Sequence, residues 1–283
     1  MMYLLPAHAS NIIRVFSFGG GVQSTAVMVL QAQGKFWQPY DYFIFANVGA
    51  DSENPGTLDY IERYTKPYAE KHGLKFIEVQ KLYKGKPGTL MSQINRPGRS
   101  VPIPARMSNG APGNRSCTSD FKIHVVDRWI KQHRYTHATV GLGISLDEFS
   151  RMRGESWHDR NGTKKLGFWK RREHPLLDRR LNRNQCHTII TAAGLPTPPK
   201  SSCFFCPFHR PNEWIDMKRE SPDLFNRAVE VETVINQKRG ATKKDYVYLH
   251  SKCIPLTFAV GDQPLLPGLA DEMETCESGY CMV

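Results

Sequence analysis

Two stretches of this chain combine residue types at spacings that could do chemistry. One is Ser201-Ser202-Cys203-Phe204-Phe205-Cys206-Pro207-Phe208-His209. Its two-residue spacing lets one short loop aim both sulfurs, Cys203 and Cys206, at a single metal site. Cys186 and Cys117 could complete four thiolates around iron and sulfide, while His209 offers an imidazole if the metal is zinc. A buried, unmetallated cysteine pair is the bland alternative. The chain holds 7 cysteines. An odd number argues against a disulfide scaffold and for metal or redox chemistry. The last two, Cys276 and Cys281, lie in an acidic, glycine-bearing end that reads as a flexible tail. Such a tail is a poor place for a rigid cluster and a good one for a reacting thiol, which could relay sulfur as a persulfide.

The other stretch is Ile12-Ile13-Arg14-Val15-Phe16-Ser17-Phe18-Gly19-Gly20-Gly21-Val22-Gln23-Ser24-Thr25. A β-prone apolar run leads into contiguous glycines, then into hydroxyl residues that open a helical pattern. Glycines allow close backbone approach to an anion, and a helix start offers N–H groups and the positive end of its dipole. Ser17, Ser24 and Thr25 add hydroxyl donors, so the arrangement suits a phosphate. No Gly-Lys-Ser/Thr closes the turn, which excludes a Walker loop, and the glycines are not spaced as in the dinucleotide fingerprint.

These residues need a scaffold, and the chain supplies one. Residues 12–18 read as a first strand and 24–33 as a first helix. Tyr42–Val48 is a second strand, Pro55–His72 a helix, and Lys75–Val79 a third strand. Strand-helix-strand-helix-strand with short joints means a parallel sheet with right-handed crossovers, which binds ligands beyond the carboxyl ends of its strands. Residues 84–116 read as a long irregular segment. A helix runs from Ser119 or Asp120 through Ile130, and Thr139–Ile144 is a fourth strand. Residues 182–193, 213–219 and 222–238 read as further helices.

Length and composition bound the class. The chain has 283 residues, 40% of them hydrophobic, and a formal charge of +11. One large α/β domain, or one with an appended subdomain, is expected. No apolar run approaches a membrane span, and residues 1–16 lack the charged start and cleavage site of a signal peptide, so the expectation is a cytoplasmic protein with no membrane partner. Residues 151–184 hold eleven Lys/Arg against four Asp/Glu, with Trp157, Phe168 and Trp169 interleaved. Charge for phosphates and rings for stacking could serve nucleic acid. A solvated basic loop is the alternative.

The motifs together resemble the PP-loop adenine-nucleotide α-hydrolase superfamily. Gly19-Gly20-Gly21-Val22-Gln23-Ser24 falls in register with its pyrophosphate loop, although Gly19 and Gln23 replace the usual Ser and Asp. Ser17-Phe18-Gly19 followed by Gln23 is similar to the phosphoadenosine-phosphosulfate (PAPS) reductase branch, and DNA-phosphorothioation sulfur-activating ATPases and assimilatory sulfonucleotide reductases likewise contain C-x-x-C-linked clusters, at spacings that differ from this one. The resemblance implies a Rossmann-like, mostly parallel sheet with helices on both faces. It also implies adenine and ribose contacts from the strand-two end, Asn47 and Asp51. Arg115 and Lys122, which flank Cys117, would face phosphates or sulfate. The segment Gly141 to Arg153 resembles one in which arginines, here Arg151 and Arg153, grip leaving phosphates, while Asp147 and Glu148 could hold Mg²⁺ or orient an attacking group. The expected segments are 1–180 for the nucleotide domain, 181–270 for a Cys-bearing helical region and 271–283 for the tail. The activity implied is attack on the α-phosphate of ATP with pyrophosphate release, for sulfur transfer. A sulfonucleotide reductase using a tail cysteine and a non-catalytic nucleotide-binding subunit are the alternatives. The cofactor implied is a [4Fe-4S] cluster, with Zn²⁺ as the competitor. A sulfur-donor protein is a possible partner, and the oligomeric state is left open.

Overall fold

The computed structural model describes residues 11–98, 101–152, 163–165 and 168–261. They form two compact units that alternate along the chain. The described residues of 1–46, 59–79 and 124–200 make the first, and those of 47–58, 80–123 and 201–283 the second. Parallel crossovers send the chain out of the sheet after each strand, so contiguous stretches need not stay in one unit.

The strands are β1 Ile12–Phe18, β2 Tyr42–Asn47, β3 Phe76–Gln80, β4 Leu82–Tyr83, β5 Lys86–Pro87, β6 Arg106–Met107, β7 His137–Leu142, β8 Thr163–Lys165, β9 Phe168–Glu173 and β10 Val247–Tyr248. The main sheet has the order β3-β2-β1-β7-β9-β8. β1 is parallel to β2 and to β7, and β7 to β9, while β8 returns antiparallel at the edge. Among the parallel strands the order reverses between β1 and β7, which makes the carboxyl ends of those two strands the switch point of a doubly wound, Rossmann-like α/β fold. Gly141 is required for packing in the middle of β7, because a Cβ there would stand 2.4 Å from the Tyr40 hydroxyl. Burial pushes that phenol's pKa up, and Glu173 pushes it further.

β9 lies inside the segment read from sequence as a basic loop. Its inward positions are Phe168 and Lys170, and Lys170 is buried because its ammonium stands 2.5 Å from the buried carboxylate of Asp127. A lysine at a core position hides the alternation by which a strand is recognised.

Helix α1 is Val22–Ala32, and α2 Pro55–Tyr60 continues through a π-turn, Ile61–Thr65, into α3 Lys66–Lys71. Pro67 has no N–H to donate and its ring crowds the carbonyl four residues back, which accounts for the widened turn just before it. Then follow α4 Leu90–Ile94 and α5 Ser116–Thr118, with a second π-turn at Ser119–Ile123 leading into α6 His124–Gln132. After a 3₁₀ stretch at Leu146–Met152 come α7 Pro175–Asp178, α8 Arg183–Ala192, α9 Pro211–Glu220, α10 Pro222–Ala241 and α11 Leu256–Ala259.

The second unit is built around Val48, Leu90, Phe121, Phe204, Phe205, Trp214, Phe225, Ile235, Leu249 and Leu256. Its irregular stretch 247–256 is held by α10. Glu232 accepts the N–H groups of Leu249 and Leu256 at 2.8 Å each, and Asn236, one turn on, bonds both the N–H and the carbonyl of Val247.

Candidate functional site

In the first unit the glycine loop sits at the switch point. Phe18 ends β1 with its ring in the core against Phe76, 5.3 Å between centroids. Gly20 takes φ +78°, a left-handed conformation open to glycine at little cost. Gly21 then caps α1. The expected hydroxyl donors turn back on this cap. Ser24 Oγ accepts the Gly21 N–H at 3.1 Å and donates to the Gly21 carbonyl at 2.9 Å, and Thr25 Oγ donates to the same carbonyl at 3.0 Å. They hold the loop's shape. The N–H groups of the helix's first turn precede its first internal bond, here Thr25 N–H to Gly21 O. Ser17 and Gln23 are half-buried beside it.

The end of β7 meets this loop. At Gly143 a Cβ would stand 3.3 Å from Ser24 N, so the two backbones approach as closely as a glycine allows. Sequence reading passed over Gly143, although a glycine just beyond a strand is the usual signal for such an approach. Gly141 lies a step inside the strand against Tyr40. Asp147 accepts the Arg183 N–H at 2.5 Å and lies 3.4 Å from the Ser145 hydroxyl, which fastens the loop after β7 to the start of α8. Its carboxylate is therefore committed to capping a helix, and Mg²⁺ coordination draws no support from it. Arg151 lies in the 3₁₀ stretch with its side chain outside what is described, and Arg153 is outside the described residues altogether.

Cys186 also belongs to this unit. It is fully buried in α8, and burial followed by Asp147 pushes its thiol up to about 12, against the opposing pull of Arg183.

In the second unit, the strand-two end is a tied loop. Asn47 Oδ1 accepts the Gly49 N–H at 2.7 Å. Asp51 accepts the hydroxyls of Thr89 and Ser52 at 2.8 Å each, and Ser52 Oγ accepts the Met91 N–H at 2.9 Å. Gly49 has φ +114°, and a Cβ there would stand 2.5 Å from Thr89 Cβ.

The C-x-x-C is a tight turn, with Cys206 N–H donating to Cys203 O at 3.0 Å. Phe204 and Phe205, the two intervening residues, are fully buried and meet edge to face at 4.8 Å. They pin the turn to the core and leave both cysteines half-buried. On its other side the turn pairs with the strand-two loop, Glu53 bridging Cys203 and Asn54 N–H donating to Ser202 O at 3.2 Å. Glu53 is fully buried there, which nothing in the sequence signalled. His209 is engaged at both nitrogens, Nε2 with Cys203 O at 3.0 Å and Nδ1 with Glu213 at 3.3 Å. Cys117 is half-buried and packs against the same core. Arg115 holds its guanidinium 5.0 Å from the Phe208 ring centroid, and Lys122 is half-buried in the second π-turn.

Among the described residues, no three Cys, His, Asp or Glu side chains stand together as metal ligands would. Cys203 and Cys206 fit two corners of a cluster. Cys117 belongs to the same unit as this pair, whereas Cys186 belongs to the first unit, where burial raises its thiol pKa. Cys276 and Cys281 lie outside the described residues.

No family model and no curated protein matches the sequence. Among solved structures, the chain is similar to the U34-tRNA thiolase NcsA from Methanococcus maripaludis with its [4Fe-4S] cluster. That similarity has a TM-score of 0.46 and 15% identity, over 80% of this chain and 72% of the other.

Proposed function

We propose that this chain is a PP-loop enzyme that binds an adenine nucleotide at Gly19–Ser24 and opens ATP at its α-phosphate for sulfur transfer. The observation that carries the reading is the switch-point loop. A left-handed Gly20 leads into the start of an 11-residue helix, with Gly143 backed against that start. Phosphate charge is stabilised there by backbone N–H groups and the helix dipole rather than by side chains. A nucleophile forms a bond to the α-phosphorus, the bond from that phosphorus to its bridging oxygen breaks, and pyrophosphate leaves with the electron pair. A thiol or persulfide then displaces AMP from the adenylylated acceptor. Arg151 and Arg153 are the proposed partners of phosphate oxygens, through charge-assisted hydrogen bonds. A metal cluster, if one is held, would use Cys203 and Cys206.

The test is product analysis of the purified chain with ATP and, separately, with PAPS. Pyrophosphate and AMP from ATP, lost in Gly20→Val, are the expected result. Sulfite from PAPS would make the protein a sulfonucleotide reductase. Nucleotide binding without product would make it an accessory subunit.

A further inference from the structure

A parallel sheet is ordinarily covered on both faces. In the first unit one face obeys this along its length, for Ile13, Val15, Ala138, Val140 and Phe168 are all buried. Among the described residues the other face does not. Register partners share a face, and the first row across the three central strands is Ile12, His137 and Trp169. Ile12 is 57% exposed and Trp169 46% exposed, with His137 exposed between them. The next row is Arg14, Thr139 and Arg171, of which Arg171 is exposed. Only the third row, Phe16, Gly141 and Glu173, goes under cover, with Tyr40 on Gly141.

We propose that this uncovered amino half of the sheet face binds single-stranded nucleic acid. Trp169 offers a ring for an unpaired base to stack on, which a base inside a duplex could not reach. Arg171 lies two residues along the same strand and face, placed for the adjoining phosphate. The one acid in these three rows, Glu173, is held by Arg14 at 2.5 Å, and the exposed Asp41 beside the second row accepts the Arg14 N–H at 2.8 Å. The chain as a whole carries a net charge of +11, the sign that attracts a polyanion. The surface lies at the amino ends of the strands, away from the glycine loop at their carboxyl ends, and does not depend on the nucleotide reading.

The experiment is fluorescence anisotropy of the full chain with end-labelled single-stranded RNA and DNA oligonucleotides and with a blunt duplex, at about 50 and about 200 mM salt. Single strands are expected to bind more tightly than duplex. Trp169→Ala should weaken binding roughly tenfold or more, and Trp169→Phe should recover most of it. Arg171→Gln should weaken it a few-fold and lower the salt slope by about 0.7, while Arg219→Gln, on exposed α9 of the second unit, serves as the basic-surface control. Trp169 is exposed, so its variants should fold, which circular dichroism checks. No binding, equal binding in Trp169→Ala, or a duplex preference would overturn the proposal. So would dimerisation of the wild type that Trp169→Ala abolishes while oligonucleotide binding is unaffected, because a second copy would then own the face.

Discussion

The loops that follow β1 and β2 look alike in sequence, each a glycine turn with hydroxyl and amide residues before a helix, and they are built on opposite plans. In the first, Ser24 and Thr25 spend their hydroxyls on the carbonyl of Gly21, and the backbone is what remains for a ligand. In the second, Asn47, Asp51 and Ser52 spend their polar atoms on Gly49, Thr89 and Met91. There the side chains that read as nucleotide contacts are the joints of the fold. Residue type alone does not distinguish a donor kept for a ligand from one consumed locally. What distinguishes them is whether the neighbouring chain comes within hydrogen-bond distance.

The sharpest way to break the comparison is to put a side chain on each glycine. Gly20→Val places a β-branched residue at φ +78° in the phosphate's approach. Adenine-nucleotide binding should fall below detection, measured by calorimetry on a variant whose fold circular dichroism confirms. Unchanged affinity would sink the loop assignment. Gly49→Ala should do the reverse. Its Cβ would meet Thr89 Cβ at 2.5 Å with φ +114°, so stability should fall by about 2–4 kcal/mol. Thermal denaturation would show a drop of roughly 5–15 °C, since about 1 kcal/mol shifts Tm by 2–4 °C in a chain near this size.

Smaller changes test the same contrast one hydrogen bond at a time. Asp51→Ala removes the acceptor for two hydroxyls and should cost about 1–3 kcal/mol of stability. A loss of nucleotide affinity at unchanged stability would instead make Asp51 a ligand contact. Ser24→Ala removes the brace on Gly21 and should weaken nucleotide binding by roughly 1 kcal/mol, about fivefold, because the loop's backbone geometry loosens.

Much of the fold could be read from the chain because strands β1, β2 and β7 are apolar runs with glycine at or just past their carboxyl ends. β9 could not, since Lys170 stands where an apolar residue belongs and its partner Asp127 is more than forty residues away. The interleaved units were equally hidden, for nothing local to residues 47–58 or 80–123 says that their core partners lie beyond residue 201. Of the site, the glycine loop was legible because its conformation is encoded in its own residues. The environment of the cysteines was not. The spacing of Cys203 and Cys206 shows that they share a turn, but the raised thiol pKa of Cys186 comes first from its burial in the core and then from Asp147, a residue distant in sequence that looked like a metal ligand.

The gentlest probe compares the two units through pH. In the first, the Cys186 thiol is raised from 9.0 to about 12, burial being the largest cause and Asp147 the next. As pH rises past 9 the unfolded chain releases this proton and the folded chain keeps it, so its stabilising contribution is complete below 9 and is lost between 9 and 12. In the second, His250 is lowered from 6.5 to about 4, first by burial and then by Lys252 and Arg106. Here the unfolded chain takes up a proton first as pH falls, so stability is complete above 6.5 and is lost between 6.5 and 4. The ring's Nδ1 accepts the Lys252 N–H at 3.1 Å, as a neutral imidazole does. Glu232, raised by burial, acts in the opposite direction in the acid range, so the two must be separated by mutation. Urea denaturation across pH should therefore show an acid slope reduced by His250→Asn, whose side-chain oxygen can still accept from Lys252, and an alkaline slope reduced by Cys186→Ala. Native-state alkylation near about pH 8 supplies the independent check: Cys203 and Cys206 should react and Cys186 should not until the chain is unfolded. Rapid labelling of Cys186 in the native protein would show it to be an accessible thiolate.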